Sequence, residues 1–140
     1  MSMPQAERQE FLAQPHTGAL AVSAGPDRGP LVVPVWYGYE SGGRVVWVVT
    51  PADSVKSRLI EAAGRFSLLA EESSPRVRYV SVEGPVVESR AATEDEHLAM
   101  ARRYLGDGAA AYVEMAAGFG VQLLVRMEPQ RWYSADLGPS

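Results

Sequence analysis

The sequence contains no cysteine, which excludes disulfides, thiolate metal sites and a cysteine nucleophile together. Histidine is nearly as scarce. Only His16 and His97 are present, far apart and in no ligand-like spacing, so no metal centre is expected. Cations are outnumbered, with 13 Lys and Arg against 17 Asp and Glu, and the net charge of -4 argues against a nucleic-acid partner, whose phosphates would need clustered Lys and Arg. Any basic site must be local. No apolar run reaches the length of a membrane span, and the opening Met1-Ser2-Met3-Pro4-Gln5 lacks the basic and apolar regions of a signal peptide. The expectation is a cytoplasmic protein with no membrane partner. A G-x-S-x-G elbow, a P-loop and a Rossmann glycine fingerprint are also missing. Glu83 and Glu88, the only carboxylates near one another on a strand, are separated by a bend, so no catalytic acid or base is identified.

What is present is an ordinary globular composition, 46% hydrophobic and 21% charged, at a length that fits one domain over residues 1–140. Ser2-Met3-Pro4-Gln5 fits a capping box, which predicts a helix running to about Ala13 with Phe11 and Leu12 as its contact with the body. Strands follow over 17–24 and 31–40, the second apolar on both faces and interrupted by Pro34. A proline there fits an edge, a bulge, or a place where something other than a strand lies. Ser41-Gly42-Gly43 turns into a doubly buried strand over 45–50, so that three strands in meander order precede the next helix. Further strands are expected over 65–71, 78–87 and 121–127, the middle one bent at Gly84-Pro85 where a sheet would curl. Thr93-Glu94-Asp95-Glu96 opens a capped helix with Leu98, Ala101 and Leu105 on one face, and a second helical piece covers 109–117. Trp132 and Tyr133 fall in an aromatic tail that either covers the core or crosses to a second subunit. Six or so bent strands are best buried by closing the sheet on itself.

The chain is organised around residues 46–65, a buried strand leading through Pro51-Ala52-Asp53 into a short helix that Gly64 ends. Asp53 or Ser54 is the natural N-cap. The first turn of a helix favours acids, yet this one holds Lys56 and Arg58. Two cations beside free backbone N–H groups suit an anion such as a phosphate, although lone basic residues on short helices also simply reach into water. Val55, Leu59, Ala62 and Ala63 form the apolar stripe, leaving Lys56, Ser57 and Arg58 nearer the margin and the outer face.

The order and spacing of Thr17-Gly18-Ala19-Leu20-Ala21-Val22, Val33-Pro34-Val35-Trp36-Tyr37 and residues 50–59 with Lys56 resemble the split β-barrel flavin and deazaflavin oxidoreductases, the pyridoxamine 5′-phosphate oxidase-like superfamily. Tyr79-Val80-Ser81-Val82-Glu83-Gly84 and Glu128-Pro129 add to the likeness, which extends over nearly the whole chain. The resemblance implies a mainly β fold with α, a split β-barrel of roughly six to seven antiparallel strands and three to four helices. It implies a homodimer with the cofactor at the interface, the ring lying along Val33, Pro34, Val35 and Trp36, and the phosphate held around Thr50, Ser54, Lys56, Ser57 and Arg58. Tyr37, Tyr79 and Trp132 would border a small-molecule substrate. The tail over 134–140 has no Arg or Lys, unlike the vitamin B6 oxidases, and the sequence is more similar to the branch that uses coenzyme F420, with FMN as the alternative. Ser54 stands where a second basic residue is common in that branch. The activity implied is hydride transfer from reduced F420 to a small electron-poor acceptor. The competing possibilities are an FMN-dependent oxidoreductase, a non-catalytic binder of F420, FMN or haem, and an unliganded interaction module.

Overall fold

The computed structural model describes residues 2–140. Helix α1, Gln5–Ala13, precedes strands β1 (Gly18–Val22), β2 (Leu31–Val35), β3 (Gly38–Glu40) and β4 (Val45–Pro51). Helix α2 (Val55–Ala63) leads to β5 (Arg65–Glu72) and the long β6 (Arg76–Ala91). Helices α3 (Glu94–Leu105) and α4 (Ala109–Ala116) come next, then β7 (Gln122–Met127) and β8 (Arg131–Pro139). Every pairing is antiparallel, in the order β2-β1-β5-β6-β7-β4-β3, with β8 also paired to β6. Among the described residues no helix is long and apolar enough to cross a membrane.

The split barrel is made by β6. Its first half pairs with β5 and β8, its second half with β7, and the change of partner falls at Gly84-Pro85 with a bulge between Val86 and Glu88. The bend expected at Gly84-Pro85 is therefore where one half of the sheet passes into the other. Gly84 is required there because a Cβ would collide with the backbone carbonyl of Glu128. The same approach lets the Glu128 N–H donate to Pro85 O (3.0 Å) and the Gln130 N–H to Glu83 O (2.8 Å).

The core lies between the two halves, built on Phe11, Leu12, Leu20, Leu68, Val82 and Met127. A smaller cluster of Ala101, Ala109 and Val113 joins α3 to α4, with Trp36 and Tyr112 packed against it.

Five local expectations change. The capping box at Ser2 does not form: Pro4 is the N-cap with no side-chain bond, and the Met3 N–H donates instead to Ser134 Oγ (3.0 Å). The strand expected over 31–40 breaks at Trp36-Tyr37 into β2 and β3, because the Tyr37 N–H donates to Tyr104 Oη (3.1 Å) rather than to a strand. That break removes the three-strand meander, since β3 and β4 pair at the far end of the sheet from β2. The sheet stays open between β2 and β3 instead of closing on itself. The tail becomes β8, held by a full register with β6, which with the divided second strand brings the count to eight.

Candidate functional site

The end of β4 and the start of α2 are tied by a compact hydroxyl knot. Ser54 caps the helix, accepting from the Ser57 N–H (3.1 Å), while the Ser57 hydroxyl donates to Pro51 O (2.7 Å) and lies 3.0 Å from Ser54 Oγ. Ser57 is buried, not marginal as the stripe of apolar residues suggested, and Ile60 rather than the exposed Val55 anchors the helix. Gly64 ends it in the left-handed region, φ 70°, with its N–H donating to Ile60 O. This knot sets the direction in which Lys56 leaves the helix.

Lys56 lines a cavity of about 350 Å³ together with Pro34, Val35 and Trp36 of the β2–β3 break, Val49 and Pro51 of β4, and the inner sides of α3 and α4. It is the only lysine in the sequence. Among the described residues its ammonium has no hydrogen bond and no carboxylate within 4.0 Å, and burial pulls its pKa below the ordinary lysine value. A half-buried, unpaired cation in a cavity lined by no carboxylate is a group waiting for an anion.

The aromatic wall is continuous. Trp36 stacks on Tyr104 and leans on Tyr112 (5.0 Å between ring centroids), and Tyr112 meets the His97 ring edge-on at 6.0 Å. His97 is 9% exposed, and among the described residues neither ring nitrogen has a hydrogen-bond partner. Burial holds the imidazole below its usual pKa, so it is neutral at pH 7.

Of the residues the sequence assigns to the site, Pro34, Val35, Trp36 and Lys56 share this cavity; Ser54 and Ser57 do not line it, and both donate to the carbonyl of Pro51, which does. Val33 lines a separate shallow hollow over β1 and β5, which Pro34 also borders. Thr50 alternates with Val49 and Pro51 along β4, so it lies on the opposite face; it is fully buried and its hydroxyl has no partner. Arg58 turns outward to Asp53 (3.0 Å). Tyr37 is fully buried in the core, its hydroxyl donating to Leu12 O (2.7 Å), and burial raises its pKa. Trp132 packs edge-on against Tyr39 under Arg8, and Tyr79 pairs with Ala135 of β8; neither borders the cavity. His97, Met100 and Tyr112 were not singled out from sequence for this wall. The i, i+3, i+4, i+7 set His97, Met100, Ala101 and Tyr104 carries the signal, one position away from the face drawn through Leu98 and Leu105.

The family model described as Pyridoxamine 5′-phosphate oxidase matches residues 4–135. The chain belongs to that family. Several solved structures share its fold. A conserved hypothetical protein of Mycobacterium tuberculosis is 28% identical, with a TM-score of 0.74 over 96% of this chain and 85% of that one. A structure described as an F420 reductase is 22% identical, with a TM-score of 0.73 over 93% of this chain and 98% of its own. A FAD-binding protein of Mesorhizobium loti is 17% identical, with a TM-score of 0.68 over 97% and 96%. No curated protein matches the sequence.

Proposed function

We propose that this protein is an oxidoreductase that binds a phosphate-bearing flavin-type cofactor, coenzyme F420, and uses it to reduce a small electron-poor organic molecule. The observation that carries the reading is Lys56: an unpaired, half-buried, solitary lysine in one cavity with the Pro34-Val35-Trp36 segment. The donor set fits the group. Lys56 would meet the phosphate by a charge-assisted bond, and the apolar walls of Pro34, Val35 and Trp36 would lie along the ring. Bound F420 supplies a two-electron hydride source. The chain's own part is to hold the anion, present the flat β2 backbone, and exclude water with the Trp36–Tyr112 wall. The F420 reductase and FAD-binding protein that share the fold support a flavin-type cofactor, and FMN stays the second reading. On the same family reading, two copies of the chain would form a homodimer that completes each cofactor site.

The test is a pair of fluorescence titrations with F420 and with FMN, on the natural protein and on Lys56→Met. F420 should bind in preference to FMN, and the substitution should weaken it by about 1.5–3 kcal/mol, the range for a charge-assisted bond. Because the substitution also removes a buried unpaired charge, the ligand-free protein should become no less stable. Preference for FMN would move the assignment to flavin chemistry, and binding of neither would overturn it.

A further inference from the structure

Helix α4 is bordered by empty space on two sides, and at 3.6 residues per turn its positions fall into four faces. Tyr112 and Ala116, with Phe119 just beyond the helix end, form one stripe and line the Lys56 cavity. Ala110, Glu114 and Ala117 lie nearly opposite and line a second cavity, about 740 Å³, bounded also by the end of β6 and the start of α3. Between the two stripes Ala109 and Val113 meet Ala101 of α3, and on the remaining face Ala111 and Met115 reach solvent. The helix is thus held along one seam of small side chains, with a hollow on either flank. Nothing polar reinforces the seam: among the described residues no side chain of 106–120 makes a hydrogen bond or an ion pair. Glycines stand at both ends, Gly106 and Gly108 before the helix and Gly118 and Gly120 after it. Gly118 has no positive φ and a Cβ there would meet nothing within 4 Å, so what it contributes is backbone freedom. Phe119 is 67% exposed and yet lines the Lys56 cavity, which places it at the mouth.

Resting on the reading of the Lys56 cavity as the cofactor site, we propose that α4 is its lid. The helix rocks about the seam with α3, recedes into the second cavity to admit a ligand, and returns to bring Phe119 over it. A helix packed on all its inner faces cannot do this, because every small movement exchanges contacts for overlaps. α4 has a hollow to enter on one flank and a hollow to close on the other, so a small rotation gives up few contacts in either direction. Sparse burial and missing polar ties are the marks of segments that open at low cost. The glycine turns absorb the change in backbone angle, which leaves α3 and the sheet in place. The movement reaches the site directly. Tyr112 leans on Trp36, so rocking α4 moves the aromatic wall against which the ring would lie. Closure also takes water away from the Lys56 ammonium, where its attraction to an anion then strengthens.

The test begins on the ligand-free natural chain, with its tryptophans replaced by 5-fluorotryptophan to give three fluorine signals, from Trp36, Trp47 and Trp132. Trp36 is the one that packs on a residue of α4. Its signal should show microsecond-to-millisecond relaxation dispersion that the other two lack, and amides of α4 should exchange faster than those of α3. Saturation with F420, or with FMN if that is the cofactor bound, should quench the dispersion and protect α4. Stopped-flow binding then follows the gate itself. Ala117→Phe puts a ring in the space behind the helix and should slow association and release together, about threefold or more, with Kd nearly unchanged. Phe119→Ala shortens the cover and should speed release about threefold or more. Dispersion at Trp36 no greater than at Trp47 and Trp132 would overturn the lid, and that measurement needs neither variant to fold. So would an Ala117→Phe protein whose association is unchanged and whose affinity falls through release alone, the behaviour of a fixed wall. A mobile α4 in a protein that binds neither F420 nor FMN would retain the lid and reject the cofactor reading; tight F420 binding over a static α4 would do the reverse.

Discussion

Trp36 and Tyr104 lie face to face, ring centroids 5.1 Å apart and planes 7° from parallel, and the hydroxyl of the same tyrosine receives the Tyr37 N–H. One side chain from α3 thus supports the cavity wall and also replaces the strand partner missing at the β2–β3 break. Tyr104→Phe should keep the stack and lose the bonds to Tyr37 and to the His16 carbonyl (2.7 Å). The expected cost is about 1–3 kcal/mol for the stranded N–H, read as a lower urea midpoint at unchanged m-value. A loss of a few tenths would show that water serves the break equally well.

Thr50 presents the opposite case, a fully buried hydroxyl with no partner. Thr50→Val replaces it with a methyl of similar shape, so the protein should hold its stability or gain about 1–2 kcal/mol, and cofactor titrations should not change. Thermal unfolding with calorimetry decides the point. A marked loss would mean that the hydroxyl bonds to an ordered water.

Gly84→Ala should be among the most damaging small substitutions in the chain. The added methyl meets the Glu128 carbonyl, backbone that cannot swing aside as a side-chain tip would. A loss at or beyond the upper end of the usual overpacking range, about 1–3 kcal/mol, is expected in denaturant unfolding. Ala at Gly118, where a Cβ meets nothing within 4 Å, is the control and should be nearly silent.

Acid should destabilise the protein in two separate steps. Burial lowers the pKa of His16 and His97 below the ordinary imidazole value of 6.5, so just below pH 6.5 the unfolded chain binds more protons and stability falls as pH falls. Glu96, held down to about 2 by the Arg90 guanidinium and the Thr93 N–H, loses its contribution only between about 4.5 and 2. Unfolding free energy measured from pH 7.5 to 3 should show both slopes. His97→Phe should reduce the upper one to the share that His16 carries and leave the lower untouched.

Much of this architecture is legible in the sequence because local chemistry and global need agree there. Ser54 and Gly64 bracket α2, Thr93 and Glu96 open α3 with a capping box, and Gly84-Pro85 marks the bend of β6. Sequence missed what depends on residues far apart. Nothing near Tyr37 announces that its N–H will be taken by Tyr104, 67 positions away, so the second strand read as continuous. β8 alternates Trp132, Ser134 and Asp136 with Tyr133, Ala135 and Leu137, a pattern that gains meaning only against the edge of β6. At the site, Lys56 stood out as a cation in the wrong turn of a helix. Arg58 carried the same signal and turns out to be paired with Asp53, which proximity in sequence allowed but did not require. His97 was passed over because a lone histidine has no sequence partner to make it conspicuous.

The position of β6 at the centre of the sheet sets the order in which the chain can finish folding. Its neighbour β5 precedes it, but β7 and β8 lie beyond both α3 and α4, so one side of β6 stays unpaired while residues 92–121 are made. A nascent chain therefore carries an open strand edge through that interval, the situation in which neighbouring chains pair wrongly. Arg76, Arg78, Glu83, Glu88 and Arg90 are spread along that strand, and once the fold is complete all five are spent in ion pairs. The same charges that later fasten the barrel serve first to keep its unfinished middle from sticking to another copy.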